Sequence, residues 1–256
     1  MTLPILVLSL PGCEPRLDPL RGSLDRLGLP HEVLFGVDAR HGLPPDKEPL
    51  ADRAAALRDL GRPMTDTEFG CALSHRAAWA RVADGDGPGA LILEDDARPR
   101  PAFATLARGA PPPCGVLQLC YHPPVRVRRS RRHPLPGGCD ALELAFPAVS
   151  TVGYWVSRDA AAALVRAATP VRRPADWPCD VTRLGAFVAV PRPVGHAGLP
   201  SVIGDGRDPA ALGITDPKAR ARRFLTRDYW RRKWRKLGSD WLDETEAPLA
   251  PEAAPP

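Results

Sequence analysis

The sequence predicts an α/β fold with a mostly parallel central sheet that is flanked by helices. Two observations carry this prediction: apolar runs of strand length recur along the first hundred residues, and patterns typical of helices lie between them. Alternation of this kind builds parallel sheets covered by helices. Ligands of such sheets bind at the carboxyl ends of the strands, so we expect functional residues there.

The first elements are a strand, a helix and a second strand. Residues 5–10 form a continuous apolar run, and a helical pattern that begins near Arg16 closes at Gly28. The second strand is predicted over residues 31–37, and Asp38 follows it directly. We interpret the apolar start as a buried strand rather than a signal peptide, because no basic segment precedes it.

The next helix has a clear start signal. Thr65 is able to cap it, and Glu68, three residues later, completes a capping box. Spacings of three and four residues then place Glu68, Cys71, His75 and Trp79 on one helix face. Taken alone, Glu68 is a structural residue and His75 a buried histidine of the core.

An acidic cluster ends the strand that follows. The apolar run of residues 90–93 leads directly into Glu94, Asp95 and Asp96. Adjacent carboxylates repel one another, and a hard cation such as Mg²⁺ or Mn²⁺ that carries a substrate phosphate offsets this repulsion. A solvated acidic loop is the alternative interpretation.

Taken in order, these motifs resemble glycosyltransferase family 25. The resemblance starts with a Ser-Leu…Arg opening at Ser9, Leu10 and Arg16, although residues 11–15 depart from the family pattern. It continues through a glutamate, Gly-Cys, Ser-His, Trp series, the acidic cluster, a Gly-Tyr strand and a Ser-Arg turn. The matching residues are Glu68, Gly70, Cys71, Ser74, His75, Trp79, Glu94, Asp95, Asp96, Gly153, Tyr154, Ser157 and Arg158. The likeness implies a single GT-A-like domain.

The same resemblance implies a divalent metal, Mn²⁺ or Mg²⁺, and a UDP-sugar as donor substrate. Asp96, with Asp95 or Glu94, would hold the metal against the diphosphate, and His196 is the candidate that would complete the metal shell. The residues that would bind the nucleotide sugar are Ser9, Arg16, Asp38, Glu68, His75, Glu94 and Asp95.

Two aspartates are candidates for the catalytic base. Asp176 belongs to a Pro-x-Asp element similar to one in the family, and a carboxylate there is able to deprotonate an acceptor hydroxyl. Asp180 is a rival four residues later, and Pro178 between them favours a turn. Helix capping is the structural alternative for Asp176. For Tyr154 we favour a simple core position.

The implied function is a metal-dependent, inverting transfer of a hexose, with UDP-galactose as the expected donor. The expected acceptor is a lipopolysaccharide or another cell-surface glycan or glycolipid. One alternative is a non-catalytic, glycosyltransferase-like interaction module. Another is a basic nucleic-acid-binding protein, which the net charge of +5 permits. Nucleic-acid binding does not explain three carboxylates at the end of a strand, so we expect no nucleic-acid partner.

We predict three segments: a glycosyltransferase domain over residues 1–215, a basic, aromatic-rich helical tail over 216–246, and a disordered Pro/Ala tail over 247–256. Residues 217–236 contain ten Lys/Arg and one acid, a composition typical of a helix that lies on anionic lipid; packing on the domain is the alternative. A second basic cluster, residues 126–133, is expected to be a mobile loop.

The cysteines and the apolar runs bear on localisation. The six cysteines show no CxxC pair and are expected to be reduced thiols. No run approaches the ~18 apolar residues that span a bilayer. We therefore expect a cytoplasmic protein, with the possibility of peripheral attachment to the inner face of the cytoplasmic membrane.

Overall fold

The computed structural model describes residues 2–198 and 234–252. In these ranges the helices are α1 (Glu14–Arg26), α2 (Arg53–Leu60), α3 (Asp66–Ala83), α4 (Pro101–Ala107) and α5 (Arg158–Ala167), with short 3₁₀ helices at Glu48–Leu50 and Val181–Leu184. The strands are β1 (Ile5–Ser9), β2 (Glu32–Phe35), β3 (Gly89–Glu94), β4 (Ala97–Pro99), β5 (Val116–Gln118), β6 (Val125–Leu135), β7 (Cys139–Leu144), β8 (Gly153–Ser157), β9 (Ala186–Val190), β10 (Val194–His196) and β11 (Asp240–Leu242).

Nine of these strands form one mixed sheet in the order β11-β6-β7-β9-β5-β8-β3-β1-β2. β1 is parallel to β2 and β3, and β5 is parallel to β9. The other five pairings described within the sheet are antiparallel. The α/β class is therefore confirmed, but the expected mostly parallel sheet is wrong. The second half of the chain builds antiparallel pairs such as β6–β7 instead of strand–helix–strand units.

The central strands are buried on both faces, which explains their continuous apolar runs. In β1, Leu6 and Leu8 pack into one core cluster, whereas Ile5 and Val7 pack into a second cluster on the other face. Helix α1 begins two residues earlier than predicted, because Pro15 is well tolerated in a first helical turn.

Helix α3 begins as predicted and fits closely against the end of β2. Thr65 Oγ1 accepts from the Glu68 N–H (3.1 Å), and the Thr65 N–H donates to Glu68 Oε2 (3.0 Å), so the capping box is confirmed. Ser74 Oγ donates to the Gly70 carbonyl (2.7 Å) and accepts from the Val37 N–H (2.8 Å). A Cβ at Gly70 would lie 2.8 Å from the Val37 carbonyl. The Gly and Ser of the helix motif thus permit this close approach.

The basic cluster at residues 126–133 lies within β6, so the expectation of a mobile loop is wrong. Its arginines are paired with carboxylates: Arg131 Nε lies 3.1 Å from Glu143 Oε2, and Arg132 is bonded to Asp140. Both acids lie on β7, the antiparallel neighbour. The charges are therefore offset across the hairpin, which a reading of the arginine run by itself does not reveal.

The described end of the chain also differs from its prediction. Residues 240–242 form β11 at the sheet edge instead of a helix, because the edge of β6 offers unpaired backbone groups. Ala247 and Ala250 are buried, and the Ala250 N–H donates to the Arg192 carbonyl (2.8 Å), so residues 247–252 are packed rather than disordered. Residues 199–233 lie outside the described ranges. The boundary at 215 and most of the basic, aromatic-rich segment remain predictions.

Two further expectations concern cysteines and membranes. All six cysteines fall in residues 2–198, and each is a free thiol. Among the helices that the structure describes, none combines the length and the apolar character needed to cross a membrane.

Candidate active site

A cavity of about 370 Å³ opens at the carboxyl ends of β1, β2 and β3. Because the three strands are parallel, these ends lie at the same edge of the sheet. Nine of the eleven predicted site residues line it: Ser9, Arg16, Glu68, His75, Glu94, Asp95, Asp96, Asp176 and His196. Asp38 and Asp180, which are also described, are not part of the lining.

One side of the cavity, here called the acidic wall, consists of Ser9, Arg16, Glu94, Asp95 and Asp96. Ser9 Oγ donates to Asp95 Oδ2 (2.8 Å), and Arg16 Nε donates to Asp95 Oδ1 (3.1 Å). Arg16 Nη2 donates to Asp96 Oδ2 (2.9 Å). The guanidinium thus neutralises two adjacent carboxylates, which explains how the acidic cluster is accommodated.

Asp96 carries the open acceptor of this wall. Its Oδ1 atom is buried and has no hydrogen-bond partner among the described residues. Burial and, next, the charge of Glu94 raise the pKa of Asp96 above its ordinary value. The pairing of β10 with β4 brings His196 beside it, with Nε2 3.2 Å from Asp96 Oδ2.

The ring of His196 is engaged at both nitrogens. The backbone N–H of Gly198 donates to His196 Nδ1 (2.9 Å), which leaves Nε2 as the protonated nitrogen that faces Asp96 when the ring is neutral. In this arrangement His196 is a donor to Asp96 rather than a metal ligand. In residues 2–198 and 234–252, no group of three or more His, Cys, Asp or Glu side chains is placed to hold a metal ion. A metal ion bound here would have to take most of its ligands from a substrate, and Asp96 Oδ1 is the protein atom that would hold it.

Glu94 is oriented by two donors. Glu94 Oε1 lies 3.1 Å from His75 Nε2 and accepts from Thr151 Oγ1 at 2.7 Å. Burial alone would raise the pKa of Glu94, but the interactions with His75 and Thr151 outweigh it and lower the pKa. His75 itself is buried, as the core interpretation expected, and it reaches the cavity as part of its wall.

Glu68 and Asp38 are engaged in local structure. Both oxygens of Glu68 are bonded to Arg62, at 2.6 and 2.7 Å, in addition to the capping box, so its structural interpretation fits best. Asp38 is bonded to Arg40 through Nε (2.9 Å) and Nη2 (2.6 Å), and these bonds lower the pKa of Asp38 to about 2. Arg40, which the sequence analysis missed, lines the cavity in place of Asp38.

A second side of the cavity, here called the Asp176 wall, consists of residues 149–152 and 174–176. Asp176 Oδ1 accepts from the Ser150 N–H at 2.9 Å. Ser150 (φ +97°) and Trp177 (φ +86°) are the only non-glycine residues of the described ranges with positive φ. Backbone strain of this kind concentrates at functional sites, and here it borders the Asp176 carboxylate.

Asp180 performs the capping that the sequence analysis considered for Asp176. It accepts from the Thr182 N–H (3.3 Å) and Oγ1 (2.6 Å) at the start of the second 3₁₀ helix, and Arg235 Nη1 donates to its Oδ2 (2.6 Å). Burial tends to raise the pKa of Asp180, but the bonds from Thr182 and Arg235 lower it. Of the two aspartates, only Asp176 faces the cavity.

Other lining residues escaped the sequence analysis. Ser150 and Thr151 lie shortly before β8, and His122 lies four residues beyond the end of β5. At that distance from the strand, a rule that considers only strand ends does not identify His122. No local pattern signals the hydrogen bond from Thr151 to Glu94, because 57 residues separate the two in sequence.

The first part of the chain is similar to a known protein family. A family model described as "Glycosyltransferase family 25 (LPS biosynthesis protein)" matches residues 2–108. The match contains the whole acidic wall and α3, and it ends before Asp176 and His196.

Two curated relatives are similar to part of the chain. A "Glycosyltransferase 25 family member" of Anopheles gambiae is 30% identical over 154 residues, which is 54% of this chain and 26% of the relative. A protein of the same description from Aedes aegypti is 33% identical over 112 residues, or 39% of this chain and 17% of the relative. The matched part thus spans about a quarter or less of the length of these relatives. These matches show that part of the chain, about its first half, is similar to proteins of glycosyltransferase family 25.

Proposed function

We propose that the chain transfers a hexose from a nucleotide diphosphate sugar to a glycan acceptor, with inversion at the anomeric carbon. UDP-galactose is the proposed donor, and a lipopolysaccharide or another cell-surface glycan is the proposed acceptor. One observation carries this proposal: the acidic wall and the Asp176 wall line the same cavity. The acidic wall supplies oriented charged groups that would bind a diphosphate, and the Asp176 wall supplies one carboxylate that would accept a proton.

Arg16 and Arg40 are the proposed phosphate-binding residues, since both line the cavity. Guanidinium groups bind phosphate through paired N–H donors, and their charge persists at any physiological pH. The carboxylates of Asp95 and Asp96 hold Arg16 in one orientation, so little side-chain freedom is lost when a diphosphate binds. Arg40 thereby takes the role that the sequence analysis gave to Asp38.

A divalent cation, Mn²⁺ or Mg²⁺, is part of the proposal, and Asp96 is the residue that would hold it. The support is the buried Oδ1 atom without a partner. When bound, the ion would supply Lewis-acid stabilisation of the negative charge on the leaving diphosphate.

Asp176 is the proposed general base. Its carboxylate faces the cavity and would accept the proton of the acceptor hydroxyl as that oxygen attacks the anomeric carbon. A single displacement inverts the configuration at that carbon. The Ser150 N–H fixes one carboxylate oxygen, so the base is oriented before the acceptor arrives.

The basic, aromatic-rich segment 217–236 is proposed to bring the protein to an anionic membrane surface, where glycolipid acceptors are found. The support is its composition alone, ten Lys/Arg with interleaved aromatic residues. Co-sedimentation with vesicles that contain anionic lipid, compared with neutral vesicles, tests this part. Equal sedimentation with both would overturn it.

Thermal unfolding in the presence of UDP, UDP-glucose and UDP-galactose, each with and without Mn²⁺, tests the donor site. We expect the UDP compounds to raise the Tm of the wild type in a Mn²⁺-dependent manner, and UDP-galactose to be turned over in the presence of a galactosyl acceptor. In Asp96→Asn, the part of this rise in Tm that depends on Mn²⁺ should be lost. Asp86→Asn is the matched control, since Asp86 is exposed in the turn before β3, at the other end of that strand.

The outcomes separate the alternatives. No response of the wild type to any UDP compound would overturn the nucleotide-sugar proposal. Binding of UDP compounds without turnover on any glycan acceptor would favour a non-catalytic relative. A Mn²⁺ response that survives in Asp96→Asn would remove Asp96 as the metal ligand.

A further inference from the structure

A chain of buried side chains leads from the core to Glu94. Trp79 Nε1 donates to Tyr154 Oη at 2.8 Å, and Tyr154 Oη lies 2.9 Å from His75 Nδ1. His75 Nε2 lies 3.1 Å from Glu94 Oε1. The Trp, Tyr and His side chains are all buried, so water does not compete for these bonds.

The donors and acceptors of this chain fit in only one sense when His75 is neutral. The indole N–H of Trp79 is a donor only, so Tyr154 Oη accepts it and is free to donate its own hydrogen to His75 Nδ1. The proton of the imidazole then lies on Nε2, which donates to Glu94. Each donor in this series thus has an acceptor, and the buried Trp79 and Tyr154 thereby determine which nitrogen of His75 carries the proton.

Glu94 differs from the two acids beside it. Its side chain is 26% exposed, whereas those of Asp95 and Asp96 are 11% and 9% exposed. The bonds from His75 and Thr151 both fall on Oε1, and a carboxylate is able to accept about four hydrogen bonds. Glu94 therefore keeps acceptor capacity in the cavity that it lines, and Arg16 is bonded to its two neighbours.

We propose that Trp79, Tyr154 and His75 are positioning residues that hold the Glu94 carboxylate as the acceptor for a hydroxyl group of the donor sugar. This inference rests on the proposed function. A fixed carboxylate binds more tightly a sugar whose hydroxyl lies within hydrogen-bond reach, and it discriminates against a sugar that lacks this hydroxyl. The hydrogen bonds among Trp79, Tyr154, His75 and Glu94 would therefore affect the binding of the hexose and leave the binding of the nucleotide unchanged.

Calorimetric titration of the full chain with UDP and with UDP-galactose, both in the presence of Mn²⁺, tests this role. We expect Tyr154→Phe to weaken binding of UDP-galactose about tenfold and to leave the affinity for UDP unchanged. Tyr121→Phe is the matched control, because Tyr121 is equally buried and its hydroxyl donates to the Ala189 carbonyl, which takes no part in the hydrogen bonds that lead to Glu94. It should change neither affinity.

A pair of substitutions at His75 sharpens the test. The amide nitrogen of Gln occupies nearly the position of imidazole Nε2, so His75→Gln should retain much of the UDP-galactose affinity, and His75→Ala should lose it. A merely structural role for the ring would give equal losses for UDP and UDP-galactose in both variants.

The tautomer itself is measurable in the wild type, which does not depend on any variant folding. With the histidine rings labelled with ¹⁵N and the His75 signals identified by their absence in His75→Gln, we expect a protonated Nε2 and an unprotonated Nδ1. A proton on Nδ1 would overturn the inference. So would an unchanged ratio of UDP-galactose to UDP affinity in Tyr154→Phe, while a wild type that binds neither compound would overturn the proposed function as well.

Discussion

The acidic wall is a regular sheet edge whose charges are bonded to one another, whereas the Asp176 wall is built from loops and offers one carboxylate. On the first wall, Arg16 joins Asp95 and Asp96, and Ser9 adds a further bond to Asp95. On the second wall, Asp176 is held by one backbone N–H from Ser150. The two walls meet where Thr151 donates to Glu94.

This contrast suggests how the proposed work is divided. A set of charged side chains that hold one another in place is suited to binding a diphosphate, because several contacts contribute together and each side chain is oriented before the ligand arrives. A single carboxylate with a strained neighbourhood suits a chemical step, because its function depends on one atom. Changes on the acidic wall should therefore appear mainly in binding, and changes on the Asp176 wall mainly in turnover.

The largest effect is expected from Asp176→Asn. The amide keeps the shape of the side chain but is unable to take up a proton, so kcat for galactosyl transfer should fall by about 100- to 10,000-fold. The affinity for UDP should stay within about twofold of the wild type, because the phosphate-binding residues are untouched. Steady-state kinetics and UDP titration measure the two quantities.

Asp180→Asn is the control for that change. Asp180 is bonded to Thr182 and Arg235 away from the cavity, so its variant should lose stability rather than kcat. A larger loss of kcat in Asp180→Asn than in Asp176→Asn would reverse the assignment of the base.

The elements nearest the acidic wall were predictable because their signals are local. The capping box at Thr65 and Glu68, the apolar run of β1 and the strand that ends in the acids all depend on residues within a few positions of one another. Strand ends in a parallel arrangement then place their side chains at one edge. Ser9 and the acids Glu94, Asp95 and Asp96 meet in the cavity for this reason. The other predicted residues that line it reach it from helices, a loop and β10: Arg16, Glu68, His75, Asp176 and His196.

The failures concern partners distant in sequence. The arginines of β6 are paired with acids of β7, Tyr154 reaches His75 from 79 residues away, and β11 joins the sheet edge from the far end of the chain. Hydrophobic periodicity carries no information about such pairings. The exchange of Asp38 for Arg40 as a lining residue depends on the direction of a loop, which composition does not encode either.

On the acidic wall, Arg16→Met tests binding. The change removes the group that neutralises Asp95 and Asp96 and leaves their charges uncompensated beside the proposed phosphate site. UDP affinity should fall about 10- to 100-fold, which corresponds to roughly 1.4–2.8 kcal/mol. Arg21→Met, an exposed position on the same helix, should have no effect. Equal UDP affinity in Arg16→Met and the wild type would contradict the role of this wall.

Gly70→Ala tests the support of the cavity by α3. The added Cβ would lie 2.8 Å from the Val37 carbonyl and 2.9 Å from the Ala39 Cβ, so helix and loop must separate. We expect a loss of about 1–3 kcal/mol in the free energy of unfolding, measured by urea denaturation. Gly22→Ala, also inside a helix, meets only the end of the Arg26 side chain at 3.4 Å and should gain up to about 1 kcal/mol. Similar effects of the two changes would show that the contact at Gly70 is unimportant.

The smallest effect is expected from Asp38→Asn, beside the acidic wall. The bond from Arg40 lowers the pKa of Asp38 from 3.8 to about 2 in the folded protein. Ionised Asp38 therefore stabilises the fold above about pH 4, and this contribution is lost as the pH falls from about 4 toward 2. The pair is partly exposed, so the loss in Asp38→Asn at pH 7 should not exceed about 1 kcal/mol.

Urea denaturation of the wild type and Asp38→Asn at pH 7, 5 and 3 measures this contribution. The difference between the two proteins should be equal at pH 7 and 5 and smaller at pH 3, because pH 3 lies between the folded and the unfolded pKa of the carboxyl. UDP affinity at pH 7 should fall less than in Arg16→Met, since Asp38 is not part of the cavity lining and acts on the proposed phosphate site only by holding Arg40. A loss of UDP affinity as large as that of Arg16→Met would instead restore Asp38 as a binding residue, and with it the expectation drawn from the sequence.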